Sequence, residues 1–161
     1  GCGGRDRGRD RPGVDDAWHG EPVGRLRIRH GTLADVVITP EEVPEVIDEL
    51  PVLAVLGTFG GSVTVSGAGE LRVKESDRIA ALVAGLRAMG ADADERPDGF
   101  QVRAGTPLSG GTVHAHGDHR LAMAFAIAAL GATGPTRIEG ADAVAVSYPS
   151  FFDDLDRLAQ R

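Results

Sequence analysis

The chain has 161 residues, 42% of them apolar and 25% charged, and carries a formal net charge of −7. That length and composition fit one soluble globular domain with a real core, and the acidic balance argues against general nucleic-acid binding. A single cysteine, Cys2, excludes an intramolecular disulfide and any cysteine-rich zinc site, and no unbroken apolar run reaches membrane-spanning length.

Residues 1–20 hold four arginines and four aspartates among glycines, with no apolar period. They are predicted to be a disordered tail, or a segment foreign to the fold, so the folded body is expected over 21–161. No signal peptide is visible, and a cytoplasmic location is expected. The alternating stretch RLRIRHG (25–31) predicts a strand, and DVVITP (35–40) a second. PEVIDELPVLAVLGTFGG (44–61) reads as one buried helix ending at Gly60-Gly61, with Pro51 as a local complication. SVTVSG (62–67) reads as a strand. In SDRIAALVAGLRAMG (76–90), Ile79, Leu82, Val83, Leu86 and Met89 fall on one helical face. Ser76 is placed to cap that helix and Gly90 to close it.

ADADERPDGFQVRAG (91–105) predicts a hairpin about Pro97-Asp98-Gly99. DHRLAMAFAIAALG (118–131) is apolar on almost every side and predicts a buried helix; TRIEG predicts a strand, and YPSFFDDLDRLAQR an amphipathic closing helix. Two stretches share a plan. DELPVLAVLGTFGGSVTVSGA and DHRLAMAFAIAALGATGPTRIEGA each run from Asp through a buried helix and a glycine turn to a β segment and Gly-Ala. Asp48 and Asp118 lie 70 residues apart. The chain therefore reads as an α/β (α+β) protein with one and a half to two βαβαββ-like units, its helices buried against mixed sheets. Repeat architectures bury their faces by stacking several units, which suggests a part of something larger.

Polar residues gather at three predicted helix starts: Asp48; Lys74, Glu75 and Arg78; and Asp118, His119 and Arg120. Lys74 is the only lysine, against sixteen arginines. Helix N-termini favour anions, and two arginines with a lysine can form a phosphate or carboxylate clamp with acid–base groups beside it. The plainer alternatives are that the aspartates are caps and that Glu75 and Arg78 are a surface i,i+3 pair. His114 and His116 share a strand face near His119, but with no acidic or cysteine partner fixed nearby, no metal site is expected.

The segments ELRVKESDRIAAL and GDHRLAMAFAIAAL resemble two signatures of the 5-enolpyruvylshikimate-3-phosphate (EPSP) synthase family, the 3-phosphoshikimate 1-carboxyvinyltransferases. PEVIDELPVLAVLGTFGGSVTVSGAGE and AVAVSYPSFFDDL resemble the segment before the first signature and the family's C-terminal end. The resemblance runs in unbroken order over residues 21–161. It implies a fold of repeated βαβαββ units and a transferase of the shikimate pathway to aromatic amino acids, the target of glyphosate. The reaction moves the enolpyruvyl group of phosphoenolpyruvate onto the 5-hydroxyl of shikimate 3-phosphate, with no metal or organic cofactor. By motif position, the resemblance implies that Asp48 is a candidate base at that hydroxyl and that Glu75 handles the proton on the phosphoenolpyruvate methylene. It likewise implies that Lys74, Arg78, His119 and Arg120 bind substrate. Val146 stands where some members carry a lysine. The family's N-terminal half, with most of the shikimate 3-phosphate cradle, has no counterpart here. A C-terminal fragment, inactive alone and partnered by the missing half, is therefore expected, without nucleic-acid or membrane partners. The alternative is a non-catalytic anion-binding remnant. A transferase acting on UDP-N-acetylglucosamine would need a reactive cysteine loop, whereas Cys2 lies in the tail.

Overall fold

The computed structural model describes residues 24–25 and 27–159. The described residues fall into two units, divided between His30 and Gly31. In the first, Arg27–His30 are irregular and exposed, so the strand expected over 25–31 is not formed there. Ile28 is 90% exposed. Alternation marks a strand only where a partner takes up the backbone N–H and C=O groups, and no described strand pairs with this one. The tail read over 1–20 lies outside the described residues.

The second unit opens with strand β1 (Val36–Ile38), the short helix α1 (Val43–Val46) and helix α2 (Leu50–Phe59). The single helix expected over 44–61 is thus broken in two. Pro51 sits in the first turn of α2, where its missing N–H costs nothing, so the chain restarts a helix rather than running through the proline. Strand β2 (Ser62–Val65), helix α3 (Arg78–Ala88) and the hairpin β3 (Asp92–Arg96) and β4 (Gly99–Arg103) complete the first repeat. The second repeat follows as β5 (Gly111–His114), α4 (His119–Leu130), β6 (Thr136–Glu139) and α5 (Phe151–Ala159). Short 3₁₀ segments at Gly69–Val73 and Ala141–Val146 precede α3 and α5, again at matching places in the two repeats.

The first repeat makes a four-stranded mixed sheet in the order β1-β2-β4-β3. Strands β1 and β2 run parallel, and the other two pairings are antiparallel. In the second repeat β5 and β6 pair in parallel, with Val113 opposite Ile138. Helices α2 and α4, the repeat-related pair, pack on each other, and α3 packs against both β3 and β5. The predicted apolar face of α3 is the core: Ile79, Leu82, Val83, Leu86 and Met89 are all buried, facing Phe100, Leu121 and Phe125. Asp77, not Ser76, caps α3, its carboxylate accepting the Ala80 N–H at 3.0 Å. The Ser76 hydroxyl is directed to Asp118 instead.

Close packing of the α4 side chain Phe125 on α3 depends on Gly85. A Cβ there would meet the Phe125 ring at 2.2 Å, and Phe125 is fully buried and has no room to yield. Gly85→Ala gains helix propensity of about 1 kcal/mol. Overpacking costs about 1–3 kcal/mol and is expected to outweigh that gain. Urea unfolding should show net destabilisation; an alanine variant as stable as the parent would rule the close contact out.

Candidate active site

The two repeats bring their helix starts together. Arg78, the first residue of α3, is 1% exposed, and Asp118, the N-cap of α4, is fully buried. Arg78 Nε donates to Asp118 Oδ2 at 2.7 Å. The other oxygen, Asp118 Oδ1, accepts the backbone N–H groups of Arg120 at 2.9 Å and Leu121 at 3.3 Å. One carboxylate therefore caps α4 and holds a guanidinium from α3. That double duty is why an acidic group is tolerated at zero exposure: burying a charge is costly unless it is paired and fully hydrogen-bonded.

Two more carboxylates close around the same guanidinium. Glu75, on the loop before α3, accepts from Arg78 Nη2 at 2.5 Å. Asp48, in the turn between α1 and α2, places Oδ1 3.5 Å from Arg78 Nη1. That distance makes an ion pair but no aligned hydrogen bond, and Nη1 is buried without a hydrogen-bond partner. Arg120 grips the same aspartate from the α4 side. Its Nη1 donates to the Asp48 carbonyl at 2.9 Å, and its Nη2 lies 3.0 Å from Asp48 Oδ2.

Of the six residues given site roles by the family resemblance, Asp48, Glu75, Arg78 and Arg120 thus form one connected cluster. Lys74 points elsewhere: its ammonium pairs with Glu70 at 2.5 Å, one turn back in the 3₁₀ segment. His119 is half-buried at the first position of α4, and no described hydrogen bond holds its ring. Sequence reasoning put Asp118 among the charged helix starts but missed its burial against Arg78, and it missed Glu70 altogether. The i,i+4 spacing of Glu70 and Lys74 was the available signal.

A second arginine fixes the loop that carries Glu75. Arg72 Nε donates to the Pro97 carbonyl at 2.6 Å and Nη2 to the Arg96 carbonyl, while Nη1 meets Asp77 at 2.8 Å. The β3–β4 turn is thereby tied to both ends of Lys74–Asp77. Two clefts flank the cluster. One of about 510 Å³ is lined by Glu75, Ser76 and the small α3 residues Ala80, Ala81 and Ala84, with His116 opposite. The other, about 270 Å³, runs from Asp48 and Arg120 into Val52, Met123, Ile127 and Phe151. His116 is the only non-glycine residue with positive φ among the described residues, at 54°. Among the described residues, no three His, Cys, Asp or Glu side chains converge as a metal site. No helix among them is long and apolar enough to cross a membrane.

A model of the EPSP synthase (3-phosphoshikimate 1-carboxyvinyltransferase) family matches residues 17–155. The chain belongs to the EPSP synthase family. A 3-phosphoshikimate 1-carboxyvinyltransferase from Parasynechococcus marenigrum (strain WH8102) is 50% identical over 140 residues, covering 86% of this chain and 32% of the relative. One from Koribacter versatilis (strain Ellin345) is 49% identical over 144 residues, covering 89% and 34%. The fold matches that of an EPSP synthase from Acinetobacter baumannii at a TM-score of 0.73 and 38% identity, over 78% of this chain and 30% of that one. The chain spans about a third of the length of the curated relatives it matches. The βαβαββ reading of the sequence accordingly describes part of an EPSP synthase fold, with the charged cluster lying between its two repeats.

The closing helix has its own electrostatic anchor. The Asp154 carboxyl accepts from Ser150 Oγ at 2.9 Å and Tyr148 Oη at 3.0 Å, which hold it below the usual aspartate range. Folding lowers this pKa, so the contact stabilises wherever the unfolded carboxyl is ionised. It fades as pH falls through the lowered folded value. A carboxyl NMR titration should show the Asp154 midpoint rise in Ser150→Ala; an unmoved midpoint would remove the serine from the account.

Proposed function

We propose that residues 21–161 are the C-terminal portion of an enolpyruvyl transferase domain. They supply part of a site that moves the enolpyruvyl group of phosphoenolpyruvate to the 5-hydroxyl of shikimate 3-phosphate. The observation that carries this reading is the joining of Asp48, Glu75, Arg78 and Arg120 in one cluster. These four residues come from three separate segments of a chain that belongs to the EPSP synthase family.

The chemistry asks for these types. Glu75 protonates the methylene carbon of phosphoenolpyruvate as the acceptor hydroxyl oxygen bonds to the adjacent carbon, and Asp48 takes the hydroxyl proton. Glu75 then recovers a proton from the new methyl group as the carbon–oxygen bond to phosphate breaks, which regenerates the double bond and releases phosphate. Arg78, Arg120 and Lys74 supply fixed positive charge to the anionic donor, with His119 beside them at the start of α4. No cofactor enters this scheme. Val146, 85% exposed, has an apolar side chain and supplies no charge to the phosphate side.

The chain alone is expected to be inactive. Orienting two anionic substrates and excluding water requires a closed site, and charges left facing water act weakly. Phosphate release with both substrates present should stay at background for this chain and appear when the remaining two thirds of an EPSP synthase is added as a separate polypeptide. Turnover by the isolated chain would overturn its inactivity; failure to reconstitute, with both parts folded and associated, would favour a non-catalytic anion-binding remnant.

A further inference from the structure

We propose that Asp48 is a resident counter-ion, seated where an anionic ligand must sit and displaced when that ligand binds. The inference rests on the anion-binding reading above and adds to it a competition inside the protein.

The cluster is already neutralised from within. Lys74 is taken by Glu70, Arg120 by Asp48, and Arg78 by Asp118 and Glu75 with Asp48 near by. These carboxylates differ in how firmly they are held. Asp118 is fully buried and caps α4, so it cannot leave without unravelling a helix start. The Asp48 side chain is 45% exposed and stands in a turn, at the edge of solvent. It is also the one described acid that reaches both guanidinium groups, at 3.5 Å from that of Arg78 and 3.0 Å from that of Arg120.

Asp48 fills that position imperfectly. Arg78 Nη1 is buried and lacks a hydrogen bond although the Asp48 carboxylate is beside it. A buried guanidinium N–H without an acceptor is costly, so an incoming carboxylate or phosphate oxygen that bridges Arg78 Nη1 and Arg120 Nη2 gains a contact that Asp48 does not make. Arg120 meanwhile keeps its hydrogen bond to the Asp48 backbone carbonyl, so the turn stays in place while the carboxylate swings out. Anion binding then frees the group assigned above as the base. Occupancy of the donor site would arm the acceptor side, and an empty site would hold the base neutralised.

The test is calorimetric titration of the chain with phosphoenolpyruvate at fixed ionic strength, with inorganic phosphate as a second probe. Asp48→Asn keeps the shape and removes the competing charge. It should bind phosphoenolpyruvate about twofold to fivefold more tightly than the parent, the worth of one half-exposed ion pair. The gain should vanish in Asp48→Asn/Arg120→Met. Equal or weaker binding by Asp48→Asn, with the parent still binding, would overturn displacement while leaving the anion site intact. A gain that persists without Arg120 would overturn it as well. No binding by parent or variant, in samples that melt cooperatively, would remove the anion site and the inference with it.

Discussion

Asp118→Ala is expected to cost about 3–5 kcal/mol, the range for breaking a buried ion pair by removing one partner. The stability of a small domain is only about 5–15 kcal/mol, so this one change should unfold a large part of the population. The size follows from what remains. Arg78 stays 1% exposed, and its Nε loses its only described hydrogen-bond acceptor. The Arg120 and Leu121 N–H groups lose their cap at the same time. Asp118→Asn should also destabilise, since an amide can still accept from the helix N–H groups but turns a donor or a neutral oxygen toward Arg78. Replacing the pair together, as Arg78→Met/Asp118→Leu, should recover the part of the loss that comes from the stranded guanidinium, because apolar side chains of similar volume carry no desolvation penalty, but not the part that comes from the lost α4 cap. Urea midpoints of the three variants decide the matter. A loss under about 1 kcal/mol for Asp118→Ala would mean that the pair is solvated in practice.

In the reconstituted enzyme, Glu75→Gln is expected to lower turnover about 10²–10⁴-fold, the usual worth of a positioned acid–base group. Glutamine keeps a hydrogen-bond acceptor for Arg78 Nη2 but cannot pass a proton to carbon. Folding and phosphoenolpyruvate affinity should therefore stay within severalfold while kcat collapses. Solvent exchange into the donor methylene should be lost with it, which separates proton handling from mere positioning. Glu75 is exposed at the edge of the larger cleft, so the substitution removes no core contact. A variant with near-parental kcat would move the proton role to another group. Lys74→Arg serves as a companion: its ammonium has rotatable donors and a flexible stem that a planar guanidinium does not reproduce. Full activity in that variant would make the lone lysine an accident of composition.

The fold was legible in the sequence wherever period and punctuation agreed. The five apolar positions of α3, the Pro97-Asp98-Gly99 turn and the aspartate cap of α4 all stand where the pattern puts them. The errors are local competitions that a one-dimensional pattern cannot resolve. Ser76 and Asp77 are both good caps, and the choice fell to Asp77 because the serine hydroxyl faces Asp118. Pro51 read as a blemish inside a helix but marks the start of one. At the site, the repeat registered that Asp48 and Asp118 occupy related positions but not that their fates differ. One is half-exposed and shared by two arginines, and the other is sealed in the core. Exposure depends on which elements pack across the helix start, and that is set by residues distant in sequence.

The two-stranded sheet has a consequence for how the chain behaves in concentrated solution. Among the described residues, β5 and β6 pair only with each other, so each presents an outer row of unpaired backbone groups. Such rows recruit further strands, from any copy that meets them, into aggregates. Arg137 and Glu139 project from β6 as exposed charges, and Glu139 also holds His114 of β5 at 3.0 Å. These few side chains keep the edge too polar and too hydrated to zip onto a neighbour. High salt, which screens them, works against colloidal stability here even where it leaves the core untouched.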